Sequence, residues 1–370
     1  MYIPSRDVSE IAAKIVQMPR GDQDVVAILV GEKDCPDLEA LIAELNRLNI
    51  VFLGGIFPGI IYDTQRYESG VVAMVLPSLS APSVIPLGGD AIDLPDFDAR
   101  VMAMPEKCTA MIFVDGLTSN ISDFLGEMFH YFGDAIHYVG GGAGSLSLKQ
   151  APCVFTSEGV FQDAAVIAFL DVNSRMGVRH GWERLMGPLV ATKTRHNVIL
   201  ELNWENAFDV YRRVLEPDAG MTLTQDNFFD VAKGYPFGIF KEGLEDVVRD
   251  PISVTSDGAL VCVGDVPENT TLNILKGFAP TLIEAAGQAT TDSLLDHHKT
   301  IGHCFVVDCI SRVIFLQDEF DDELNLIAQR IREIDAQSVP CGILSLGEIS
   351  SYGEGLLEFF NKTVVVGVLS

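Results

Sequence analysis

The sequence predicts an α/β protein whose mixed sheets are built from repeated strand–helix–strand–hairpin units, arranged as two tightly packed domains. Three observations predict it. One order of elements occurs three times along the chain. Hydrophobic residues fill 48% of 370 positions, which supports a full-sized core. No low-complexity linker separates the halves, so they are expected to pack against each other.

The first copy opens with the strand-like run Val25-Val26-Ala27-Ile28-Leu29-Val30. A polar turn at Gly31–Asp34 leads into a helical stretch with Leu38, Leu41, Ile42, Leu45 and Leu48 on one stripe. The strand Val51-Phe52-Leu53 runs into Gly54-Gly55, and a hairpin-like tail ends at Val71–Leu76. In the second copy, Ala110–Val114 precedes Asp115-Gly116, and a helix is expected over Asn120–Phe132. Ile136–Val139 then enters Gly140-Gly141-Gly142-Ala143-Gly144, and two strands follow near Val154 and over Ala164–Leu170. The third copy has Cys304–Val307, then Asp308-Cys309-Ile310-Ser311-Arg312 and a helix over Asp322–Ile334. Cys341–Gly347 and Thr363–Leu369 close it. If the two strands of a unit pair in parallel, a right-handed crossover follows and the hairpin adds antiparallel strands.

Between the second and third copies the pattern changes. Val198-Ile199-Leu200 reads as a strand and Glu205–Leu215 as a helix that Asn203 can cap. Turn-rich β follows at Tyr235–Ile239, at Val254–Val263 around Ser256-Asp257-Gly258, and at Thr271–Leu275. Ala279–Leu295 is helical, with Pro280 near its start. The boundary near Leu202–Asn206 divides the chain into domains 23–202 and 203–370.

Charge excludes some functions. With 52 acidic and 25 basic residues the net charge is −27, which repels phosphate backbones and anionic lipid; no nucleic-acid partner is expected. Seven cysteines at irregular spacing, several inside apolar runs, suit a reducing compartment and buried thiols. The segment MYIPSRDVSEIAAKIVQM lacks a basic start and apolar block, and no run reaches membrane-spanning length; a cytoplasmic protein without membrane insertion is expected.

Several residues invite chemistry. Gly140–Gly144 suggests a phosphate cradle, but Ser145 stands where a third fingerprint glycine belongs, and a tight backbone approach explains the run better. His297, His298, His303 and Cys304 cluster without regular metal-ligand spacing, so no metal is expected. Cys309 with His303 could form a nucleophile pair, although no orienting third group is evident. His180, in Val178-Arg179-His180-Gly181-Trp182, could be an axial haem ligand or part of a stacking wall. Glu348 follows an apolar strand, and Arg312 follows the first strand of the same unit, so a parallel crossover brings both to one sheet edge. A guanidinium and a carboxylate there suit a zwitterion; mutual pairing is the competing reading.

The chain resembles the FIST family (F-box and intracellular signal transduction proteins). The likeness rests on Gly140–Gly144, Val198-Ile199-Leu200-Glu201, Tyr235-Pro236-Phe237-Gly238-Ile239, Asp308–Arg312, Gly347-Glu348-Ile349 and Phe360-Asn361-Lys362-Thr363. It runs from about residue 23 to the end, with an N-type half over 23–202 and a C-type half over 203–370. The resemblance implies a sensory module that binds a small ligand such as an amino acid, with Arg312, Glu348, Cys309, Tyr235 and Asn361 as candidate contacts. One branch of similar proteins senses nitric oxide through haem and acts on a histidine kinase. For this chain that implies signalling in trans and, without a CxxCH motif, haem held non-covalently. Two other classes stay open: an enzyme using the Cys309 thiol, and an acidic scaffold without a small ligand.

Overall fold

The computed structural model describes residues 1–89, 91–103, 108–295, 301–352 and 356–370. His297 and His298 lie outside them. The three repeats are present as units. In the first, Asp24–Gly31 and Phe52–Phe57 pair in parallel across the helix Leu38–Arg47. In the second, Thr109–Asp115 and His137–Ala143 pair in parallel across Ile121–Phe132. In the third, His303–Cys309 and Cys341–Ser345 pair in parallel across Ile310–Leu316 and Phe320–Ile334. The helices follow from their stripes: Leu41 and Leu45, or Leu324, Ile327 and Ile331, recur at three- and four-residue spacing and are buried.

Glycine marks the same register position in each unit. Gly54 lies opposite Ile28, Gly140 opposite Ile112, and Gly342 opposite Val306. A Cβ at these glycines would stand 2.3, 1.7 and 1.7 Å from the facing carbonyl oxygen. Only hydrogen fits there. The glycine run at 140–144 is therefore strand backbone in close approach, not a phosphate loop.

The hairpins are exchanged in a ring. Gly59–Tyr62 of the first unit adds antiparallel to Cys341–Ser345 of the third. Val154–Thr156 of the second adds to Phe52–Phe57 of the first. Glu348–Tyr352 of the third adds to His137–Ala143 of the second. Each sheet is finished by another unit's hairpin, which gives the mixed sheets their antiparallel strands.

The remaining stretch forms an antiparallel sheet in the order Glu183–Arg195, Thr270–Lys276, Phe237–Ile239, Val247–Val254, Leu260–Val263, Val198–Leu202. Val198–Leu202 pairs back onto Glu183–Arg195, so the sheet closes on itself. The helix Ala207–Ala219 packs on it through Val210, Tyr211 and Leu215. Its cap is Asn206, whose side chain accepts from the backbone N–H of Phe208 and Asp209. Asn203, expected as the cap, instead occupies a left-handed turn at φ 51° and accepts from the Val190 N–H. The halves also interlock where Ser174–Arg179 pairs with the last strand, Val364–Leu369, and the helix Ala279–Ser293 shares an apolar cluster with that strand. The architecture is thus mixed α/β in two domain-like parts. All seven cysteines are free thiols. No helix among the described residues is long and apolar enough to cross a membrane.

Candidate functional site

The strand Thr109–Asp115 ends in a loop, and the strand His303–Cys309 runs directly into the helix Ile310–Leu316, both at the C-terminal edge where open sheets hold ligands. That loop and the start of that helix, with the closed antiparallel sheet opposite, line a cavity of about 800 Å³. Leu117, Ile121, Ile310, Ile314, Leu346 and Phe359 give it apolar walls. Asp250, Asn361 and Cys309 supply polar wall atoms.

Asn361 reaches the cavity because of a change of sheet. Leu356–Phe360 belongs to the second unit's sheet and Val364–Leu369 to the third unit's, so Asn361, Lys362 and Thr363 cross between them. Lys362 takes φ 53°, a left-handed conformation costing an L-residue roughly 1–2 kcal/mol. Its side chain fixes it there. The ammonium meets Asp250 Oδ2 at 3.1 Å, donates to the Lys233 carbonyl at 2.9 Å, and stands 5.0 Å from the Trp182 ring centroid. The Lys362 carbonyl accepts from Trp182 Nε1 at 3.0 Å and Arg312 Nη1 at 3.3 Å.

That scaffold leaves Asn361 unusual. The residue is 1% exposed, yet neither Oδ1 nor Nδ2 has a hydrogen-bond partner among the described residues. Asp250 is 3% exposed, and its Oδ1 also lacks a partner. Buried polar groups are normally satisfied, so three unpartnered atoms on one cavity are a binding signal. Burial pushes the Asp250 carboxyl up, and Lys362 beside it pulls it back.

Behind the wall lies a carboxylate cluster. Glu348 accepts from Ser345 Oγ at 2.7 Å and the Thr363 N–H at 3.1 Å. Burial pushes its pKa up to about 8, against those hydrogen bonds, Cys309 and Arg312. Asp308 is raised by burial and by Glu323. Cys309 Sγ lies 3.0 Å from Ser311 Oγ, and burial followed by Glu348 pushes the thiol up. That is the reverse of an activated nucleophile. His303 is at the opposite end of the same strand, about 20 Å away at strand rise. The Cys309–His303 pair is not assembled.

The structure departs from the zwitterion clamp. Arg312 is sealed, with 0% exposure. Nε and Nη2 donate to Glu323 at 3.0 and 2.6 Å, and Nη1 and Nη2 donate to the carbonyls of His180 and Leu282 at 2.7 and 2.9 Å. The helix Phe320–Ile334 brings Glu323 to it, so Arg312 neither pairs directly with Glu348 nor lines the cavity. Tyr235 is also elsewhere: its hydroxyl donates to Asp218 at 2.7 Å and its carbonyl accepts from Tyr211 at 2.6 Å.

His180 does not fit an axial haem ligand. Its Nδ1 accepts from the Trp182 N–H at 2.8 Å, its Nε2 faces Glu245 Oε2 at 3.6 Å, and the residue is 7% exposed. It lines neither this cavity nor a second one beside Arg179, Glu245 and Asp292. His303 and Cys304 are strand neighbours and so face opposite sides of a sheet. The described residues hold no group of three metal-competent side chains.

Of the residues the sequence offered as candidate contacts, Cys309 and Asn361 line this cavity; Asp250 and Lys362 were not among the candidates. A signal existed: Arg249-Asp250 interrupts the apolar run from Val247 to Ile252, and Asn361-Lys362-Thr363 interrupts another.

Among family models, the FIST N domain matches residues 24–205 and the FIST C domain matches residues 207–351. No curated protein matches the chain.

Proposed function

The chain belongs to the FIST family, whose domains are sensory modules for small ligands in signalling proteins, and from that membership we propose that it senses a small organic molecule held in the Asn361–Asp250 cavity. The single observation that carries this reading is Asn361, fully buried with both amide atoms unpartnered on the cavity wall. A ligand would complete those bonds while touching the second unit, the third unit and the closed sheet together. Occupancy then biases how these parts sit against one another, and a signalling partner such as a histidine kinase reads the change. Cys309, with its raised thiol pKa, serves as wall rather than nucleophile.

The test is Leu346→Trp, which fills the cavity from the strand end. Mass spectrometry of small molecules released from the purified wild-type protein should find one that the folded variant does not carry. Equal retention of that molecule by the variant would place binding elsewhere.

A further inference from the structure

The unpartnered polar atoms of the wall residues Asn361 and Asp250 specify a ligand class, an inference that rests on the cavity being the sensory site. Asp250 pairs in register with Val263, next to Gly264. A Cβ on Gly264 would stand 3.1 Å from Asn361 Oδ1, so Asn361 and Asp250 converge on one patch. The patch presents two acceptors, Asp250 Oδ1 and Asn361 Oδ1, and one donor group, Asn361 Nδ2.

Charge narrows the class further. The acidic side chains on the wall are Asp250 and Asp265, and the described wall residues include no lysine or arginine. The nearby cations are engaged: the Lys362 ammonium holds Asp250 Oδ2 and the Lys233 carbonyl, and the Arg312 guanidinium is sealed against Glu323. Arg249, beside the same Gly264 position, donates Nε to the Asp265 carbonyl at 2.8 Å and Nη1 to the carbonyls of Val248 and Phe359 at 3.0 and 3.2 Å. A carboxylate entering here would bring acceptors to the acceptors of Asp250 and Asn361 and meet no lysine or arginine among the described wall residues. That includes the carboxylate of an α-amino acid. Leu, Ile, Val and Phe side chains make up much of the remaining wall and favour an apolar body, and the wall also carries hydroxyls such as Ser122 and Ser311 and the side chains of His196 and Asn197.

We propose that the cavity selects an uncharged small molecule with an apolar body and a primary carboxamide head. The two amide hydrogens go to Asp250 Oδ1 and Asn361 Oδ1, and the carbonyl accepts from Asn361 Nδ2. An amine satisfies the acceptors but leaves Nδ2 open. A carboxylate mismatches both acceptors.

The full-length protein is titrated, with ligand-observed NMR as readout, against matched probes: phenylpropyl, cyclohexylethyl and hexyl bodies, each as primary amide, amine and carboxylate. The expected order is amide, then amine, then carboxylate, with at least about a tenfold gap between first and last, as loss of hydrogen bonds to buried groups requires. Asn361→Leu should narrow that gap to about twofold. Should the apolar replacement perturb folding, the near-isosteric Asn361→Asp, which removes the donor, should shift preference from amide to amine. Carboxylates binding as tightly as amides, or no amide binding at all, overturns the carboxamide class. Leu346→Trp separates the two readings. Carboxylate binding that it abolishes leaves the cavity as the site and removes only the class, whereas probe binding that it leaves intact removes the site as well.

Discussion

Arg312 and Glu323 meet fork to fork inside the protein, Nε to Oε1 at 3.0 Å and Nη2 to Oε2 at 2.6 Å, with neither side chain exposed. Asp308 Oδ1 stands 3.3 Å from the same Nε. The guanidinium thus ties the helix Phe320–Ile334 to the end of the strand His303–Cys309 and, through Lys362, to the Asn361 crossing.

Breaking that pair should be costly. Glu323→Ala leaves a buried guanidinium half-satisfied and is expected to lose about 3–5 kcal/mol in urea unfolding. Arg312→Met combined with Glu323→Leu should recover at least half of the loss, because an apolar pair needs no desolvation of charge. A double variant as unstable as the single one would mean that Arg312 contributes chiefly through its carbonyl contacts.

Two glycines make opposite predictions. Gly342→Ala places a Cβ 1.7 Å from the Val306 carbonyl and should cost about 3 kcal/mol or prevent folding. Gly126 is exposed on the helix Ile121–Phe132, with nothing within 4 Å of its Cβ position, so Gly126→Ala should add about 0.5–1 kcal/mol. Thermal unfolding of both variants checks the pair.

Glu348 gives a pH dependence of defined sign. Its pKa rises on folding from 4.5 to about 8, so the native state holds the proton more tightly than the unfolded chain. The native state is therefore most favoured at or below the unfolded value, and this contribution is lost as pH climbs towards 8. Glu348→Gln cannot titrate. Its stability relative to wild type should improve steadily between about pH 5 and 8, measured by denaturant midpoints at each pH. A constant offset across that window would remove Glu348 as the titrating group.

Thiol chemistry is the next check. With the Cys309 pKa pushed up by burial and by Glu348, iodoacetamide at pH 8 should leave Cys309 unmodified in the native protein. Cys35, half-buried with its pKa near 11, should react first, as read by peptide mapping. Rapid alkylation of Cys309 would revive a reactive-thiol reading.

The units were legible because each strand is a short apolar run and each helix carries a clear stripe, as Leu41 and Leu45 or Leu324, Ile327 and Ile331 show. The hairpin exchange was not. Gly59–Tyr62 carries the same buried pattern whichever edge it joins, and sequence alone does not say which unit completes which sheet. The strand Glu183–Arg195 escaped because its exposed, charged residues and Gly187-Pro188 interrupt any strand pattern. At the site, Asn361 and Cys309 were candidate contacts through the resemblance, and both line the cavity. Arg312 was a candidate as well, but its partner is decided by a helix that returns Glu323, not by the nearer strand end of Glu348.

The circular loan of hairpins bears on any attempt to divide the molecule. A fragment stopping at Leu202 would keep His137–Ala143 but lose Glu348–Tyr352, leaving a bare backbone edge of glycine-rich strand. The complementary fragment would strip Gly59–Tyr62 from Cys341–Ser345. Each piece would carry open amides and carbonyls ready to stitch onto a neighbouring chain, so the two sequence halves should be soluble only when made together.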